Sequence, residues 1–269
     1  MRKALAGLAW LVLAMLAIAG VATAAPIVTM KAEPVPIPGF PHTGDLLGAG
    51  AAAQTEITIE GDEYFGSPPP VIGVNAYFPK GVKLHPEGFP TCPEATLEAQ
   101  GPIGCPQGSQ AGPIGKVLGF VTIGGERVEE TSQLFSFYKA GGGVLFFVDG
   151  HTPVSLEILS PARLVDLAGS DGHGPEVIAT VPLVASLPGA PFASARSIDV
   201  EVGSGRRAHG KAIYYGRLPS TCPRGGWPVH GEVIFAEGGE ATKPEIVDST
   251  TKVPCPNELR SGESRTGRR

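Results

Sequence analysis

Two copies of one triplet, Asp149-Gly150-His151 and Asp171-Gly172-His173, each put a carboxylate and an imidazole two residues apart. On a loop both groups can reach one cation, and imidazole suits transition metals. If the two loops met, they would offer four ligands. Asp-Gly is also a common turn pair, so the simpler reading is two surface turns with solvated histidines. Two pairs of adjacent acids, Asp62-Glu63 and Glu129-Glu130, supply the residue type that glycoside hydrolysis needs. Neighbouring residues on a strand point to opposite faces, so neither pair makes a catalytic dyad by itself. Gly203-Ser204-Gly205 is too short for a nucleophile elbow, and it reads as the turn after a strand. The chain carries no G-x-S-x-G, H-E-x-x-H or P-loop motif and no dense acidic calcium loop. No cofactor is expected.

Rings offer a binding chemistry instead. Tyr214, Tyr215 and Trp227 flank Cys222, and exposed rings can stack on sugars. The competing expectation is that Trp227, beside Gly225-Gly226 and Pro228, plugs a loop corner.

The four cysteines are Cys92, Cys105, Cys222 and Cys255, and each precedes a proline. Proline pushes the preceding residue into an extended conformation, so each Cys-Pro predicts a rigid corner. An even count in an exported chain predicts two disulfides. Three pairings are open, and the nearest-neighbour one, Cys92 with Cys105 and Cys222 with Cys255, is favoured. Zinc sites show close-spaced ligand pairs, which these cysteines lack.

Export is predicted from the first residues. Met1-Arg2-Lys3 is followed by an uncharged apolar run and then Val21-Ala22-Thr23-Ala24. That is the order of a secretory signal peptide, with cleavage expected after Ala24. No stable membrane anchor is expected after cleavage, and the location is extracytoplasmic. The formal net charge is −5, and losing Arg2 and Lys3 makes the remainder more acidic. Such a chain has no electrostatic footprint for nucleic acid. Residues 257–269 are small, polar and Arg-bearing, and they read as a flexible tail.

The elements that must position all of this are strands. Alternation runs through Gln54–Glu60, Val154–Ile158, Ser197–Val202 and Val229–Phe235. Val144–Val148 is continuously apolar, as expected of a central strand. Further strands are predicted at Val71–Phe78, Val117–Ile123, Arg127–Tyr138, Val177–Leu187 and Lys211–Tyr215. Pro182 should bulge one of them or place it at an edge. Gly124-Gly125 and Gly141-Gly142-Gly143 predict hairpins. A short helix is expected over Pro93–Ala99, with Thr91 and Glu94 at capping-box spacing. A second short turn is expected after Pro256.

The 38 glycines and 27 prolines in 269 residues fall mainly between apolar runs, as turn punctuation. The predicted fold is an all-β antiparallel sandwich, with the jelly roll as one form of it, stapled by disulfides. The predicted organisation is a signal peptide at 1–24, a Pro-rich extended segment at 25–44, the β domain at 45–256 and the tail. A subdivision near 112–115 is the alternative to one domain.

The segments from Phe89-Pro90-Thr91-Cys92-Pro93 to Gly104-Cys105-Pro106-Gln107-Gly108-Ser109, and then Thr221-Cys222-Pro223-Arg224-Gly225-Gly226-Trp227-Pro228, resemble a family of exported, uncharacterised bacterial proteins with paired Cys-Pro motifs. The resemblance implies export and a β-rich fold, and it carries no activity. The expected function is a non-enzymatic envelope or secreted module whose partner is an envelope polysaccharide or protein. The alternatives are a secreted hydrolase with scattered catalytic residues and a metal-binding protein built on the two Asp-Gly-His loops.

Overall fold

The computed structural model describes residues 25–40, 47–165 and 173–255. The expected signal peptide, the turn after Pro256, the tail and Asp171 lie outside the described residues.

The fold is all-β and antiparallel, with few short helices. Its strands are β1 (Ile27–Val35), β2 (Ala52–Glu60), β3 (Val71–Pro79), β4 (Lys83–Leu84), β5 (Gly115–Ile123), β6 (Glu126–Lys139), β7 (Gly143–Gly150) and β8 (Leu156–Val165). Then come β9 (His173–Thr180), β10 (Ser194–Val202), β11 (Gly205–Ala208), β12 (Lys211–Tyr214), β13 (Gly216–Arg217), β14 (Trp227–Ala236) and β15 (Pro244–Val253). One helix, α1 (Glu94–Gln100), precedes a short 3-10 turn at Pro102–Gly104.

Eleven strands form one sheet, in the order β1-β2-β10-β5-β6-β7-β8-β9-β3-β14-β15. The sheet curls until its two outer strands meet. There the Met30 amide of β1 donates to Ser249 Oγ of β15 at 3.0 Å, in place of a backbone ladder. The two facing walls of a sandwich are thus opposite sides of one nearly closed sheet. Ile27–Val35, within the Pro-rich start, pairs along its length with β2. Gly112–Gly115 runs directly into β5 in the middle of the sheet.

Local rules account for most elements. Gly124 and Gly125, at φ 61° and 88°, form the two-residue turn between β5 and β6, a backbone that matches strand twist and suits glycine. β9 stops at Thr180 rather than reaching Leu187, because Pro182 has no amide to continue the ladder. Helix α1 starts after Pro93, which is extended at ψ 137°, and no side chain caps it. Thr91 therefore lies outside the helix, and the expected capping box is absent.

Two disulfides, Cys92–Cys105 and Cys222–Cys255, are present. The first clips α1 onto the outside of the sheet. There Leu97 and Cys92 cover Phe137, Leu145 and Phe147, and Leu97 and Leu145 are fully buried. The second ties the strand-linking loop before β14 to the end of β15, beside Trp227. Val144–Val148 is continuously apolar because α1 covers one of its faces and the sheet interior takes the other.

Candidate functional site

The inward faces of the sheet do not close on each other everywhere. On one side Ile59, Val233 and Phe235 interlock into a packed core, and Met30, Ile57 and Val229 of the same cluster form its boundary with the open space. Met30 reaches over Gly231, where a Cβ would lie 2.7 Å from its sulfur. Elsewhere a cavity of about 300 Å³ remains. Eleven strands make a wider curl than the eight whose side chains can fill the interior. The walls include Val74, Val117, Val121, Phe146, Ile158, Val177 and Ile198. Several of these inward residues, Val117, Phe146, Val148 and Val177 among them, are only half buried. On the same strands the outward Leu145 and Phe147 are buried. Where α1 lies, the outside of the sheet is buried like a core, while part of the inside is only half buried.

One end of the cavity is lined by aromatic and loop residues. Tyr215 lies there, with its ring 4.5 Å from that of Tyr138 and 5.9 Å from that of Phe89. The Tyr138 hydroxyl shares a hydrogen bond with Ser204 Oγ at 2.7 Å. Burial pushes Tyr138 up to about 12, against the lowering effect of Ser204. Burial, with Tyr138 as neighbour, raises Tyr215 further. Ser204 thus anchors this end. Trp227 also lines the cavity, and its indole N–H donates to Thr221 O at 2.9 Å. Tyr214 is turned to the exterior side, where Phe40 meets its ring edge at 5.4 Å and the Arg217 guanidinium lies 5.2 Å from its centre.

Toward the other end a carboxylate enters the apolar wall. Alternation along β6 sends Glu129 outward, to pair with Arg196 at 3.2 Å, and Glu130 inward. Glu130 is 3 % exposed. Its Oε2 accepts one long hydrogen bond, from the Val154 amide at 3.4 Å. Its Oε1 is buried and has no partner among the described residues. Glycines make room for it: Gly119 lies opposite on β5, and Gly150 on β7 pairs with Ser132. Ser132, Ser160 and Ser194 are the other buried polar residues along the cavity. Of the acids singled out in the sequence, Asp62 and Glu63 lie in the β2–β3 connection.

Of the two Asp-Gly-His triplets, the described histidines, His151 and His173, are not brought together. His151 Nε2 sits 3.1 Å from Asp149 Oδ1 at one end of β7. Asp149 is opposite Glu157, whereas His173 lies beyond Val165 at the far end of β8 and β9. At ~3.3 Å per strand residue the two places are about 25 Å or more apart. His173 joins a different group on the outer face. Its ring is 5.7 Å from Tyr77, which is 5.1 Å from His230. His230 Nε2 lies 3.3 Å from Asp248 Oδ1 and 3.7 Å from Glu232 Oε1. Glu232 Oε2 accepts from Asn75 at 2.8 Å and from Tyr77 at 3.1 Å. Burial, followed by the charges of Glu176 and Glu232, pushes Tyr77 up to about 12. His230, Glu232 and Asp248 bring ligand atoms within 4.8 Å of one another, a spacing that a divalent cation could bridge. The Asp248 side chain is 67 % exposed, however, and exposed acidic groups commonly gather without an ion. These residues come from four strands, and only His173 carried a signal in the sequence.

No helix among the described residues is long and apolar enough to cross a membrane. Comparison with protein-family models, with curated proteins and with solved structures finds no match to this chain.

Proposed function

We propose that this protein is an exported, non-enzymatic binding protein that holds an apolar small molecule inside its curled sheet. The supporting observation is the cavity: about 300 Å³, walled mainly by apolar side chains, within a curled sheet whose outer face is packed where α1 covers it. That volume is at the lower end of the range seen for small-molecule sites. It is far larger than the gap one water needs, and apolar cavities bind apolar guests. The signal-like first residues and the two disulfides support export to an oxidising compartment. Membership in the exported Cys-Pro family belongs to the same proposal.

The rings favour an internal ligand over a polysaccharide on the surface. Tyr215 and Trp227 are buried at 3 % and 2 % exposure and line the cavity, so neither offers a face to an external sugar chain. Hydrolysis finds less support, because the other acid lining the cavity, Glu33, sits on β1 opposite Gln54, whereas Glu130 sits on β6 between β5 and β7.

The test is titration of the oxidised protein with N-phenyl-1-naphthylamine, an uncharged probe that brightens in apolar surroundings. Saturable one-to-one brightening, abolished by the cavity-filling pair Ala76→Trp and Ala195→Trp, is the expected result. A linear, unsaturable response from a folded protein would remove this function.

A further inference from the structure

The cavity has one chemical feature that an all-hydrocarbon guest would leave unanswered. Glu130 is almost wholly buried, lines the apolar wall, and has an oxygen with no partner among the described residues. Burying a polar group without a hydrogen bond costs free energy, and a carboxylate costs more than a neutral group. Its one contact, the Val154 amide at 3.4 Å, is too long to satisfy it. No lysine, arginine or histidine side chain makes a hydrogen bond or ion pair with it among the described residues. A hydrophobic residue would fit the wall at lower cost. The missing group is therefore a hydrogen-bond donor, and the cavity is the side from which it can come.

We propose that the ligand is an amphiphile with a donor head, an ammonium or a hydroxyl group, that meets Glu130 Oε1 while its apolar body fills the cavity. This rests on the cavity reading above and adds a selection rule to it. An ammonium or hydroxyl donates to the carboxylate. A carboxylic acid head that ionises in water must either stay charged beside Glu130 or give up its charge, so fatty acids are disfavoured. Ser132 Oγ lies near the same place: a Cβ on Gly150 would come within 2.5 Å of it and 2.6 Å of Glu130 Oε1. That hydroxyl can accept a second hydrogen bond from an ammonium head, whereas a hydroxyl head has a single hydrogen to donate.

Dodecylamine, dodecanol and dodecanoic acid share a chain and differ in the head. Each is titrated against the probe-loaded protein, and each is repeated with Glu130→Gln and with Glu130→Ala, after checking by circular dichroism that the variants fold. Amine and alcohol should displace the probe at concentrations at least about tenfold lower than the acid. Glu130→Gln should bring the three within about threefold of one another, with most of the change in the acid and the amine. Amine tighter than alcohol identifies the ammonium as the better head; the reverse order identifies the hydroxyl. If the acid binds as well as the others to the unaltered protein, the donor-head proposal falls while the cavity reading stands. The same holds if the probe binds and none of the three displaces it. If the probe itself does not bind, the cavity reading fails and takes the proposal with it.

Discussion

Glu130 Oε1 occupies space that Gly150 leaves open: a Cβ on residue 150 would lie 2.6 Å from that oxygen. The two residues sit on adjacent strands, and the glycine belongs to one of the two Asp-Gly-His triplets. What looks in the sequence like half of a metal motif is, in the fold, the pocket for an inward carboxylate. Gly150→Ala should therefore displace the end of a flexible side chain and leave the fold intact. Its melting temperature should change little, and its amine-over-acid preference should fall at least about threefold. Melting curves and the amphiphile titration check this, and an unchanged preference would show that the carboxylate does not act from that position.

Chain length should read out the cavity directly. Each methylene moved out of water contributes about 0.8 kcal/mol, or roughly a fourfold gain in affinity. Primary amines lengthened from six carbons upward should tighten by about that step and then level off once the cavity is full. Calorimetric titration measures the series. A flat series would mean that the tail stays outside.

The cavity wall and the patch under α1 predict opposite responses to substitution. Ala76 on β3 lines the cavity, so Ala76→Leu should be neutral or stabilising, where overpacking an ordinary core costs ~1–3 kcal/mol. Leu97 is fully buried between α1 and the sheet, so Leu97→Ala should cost about 2–5 kcal/mol. Denaturant unfolding of both variants gives the comparison. Equal losses at the two sites would mean that the interior is packed.

Alkali should unfold the protein through its tyrosines. Tyr138 and Tyr77 are raised to about 12, chiefly by burial, and Tyr215 is raised as well. In the unfolded chain tyrosine ionises near ~10. Between those values the unfolded state has lost protons that the folded state keeps. Stability is therefore fully present below about pH 10 and falls as pH rises through about 12. Unfolding free energies across this window should decline, and tyrosinate absorbance should appear together with loss of structure. Tyr138→Phe should flatten the decline while costing about 1 kcal/mol at neutral pH, because Ser204 loses its partner.

Much of the β architecture was legible because it is local. Alternation and paired glycines mark β5, β6 and β7 nearly to the residue, and Cys-Pro spacing anticipated both staples. Val144–Val148 showed that two faces of one strand are covered, but not that one cover is a helix and the other a cavity. Strand periodicity tells which residues share a face. It does not tell how wide a curl eleven strands make, and the space inside depends on that width. The same limit applies to Glu129 and Glu130: their opposition was readable, and which of them faced inward was not. The outer group of Tyr77, His173, His230, Glu232 and Asp248 is assembled by strand order alone, from positions far apart in the chain.

The meeting of β1 with β15 sets a timetable for the whole molecule. The bond from Met30 to Ser249 spans 219 residues. A chain delivered from its N-terminus holds its first strand ready, with no partner on that edge, until its last strand arrives. Until then both edges stand open and invite pairing with other chains. Closure is also the contact with the largest loop to pay for, so it comes late and slowly. The unfinished, open sheet is thus the species most exposed to aggregation, and a holding chaperone would act on it rather than on the closed form.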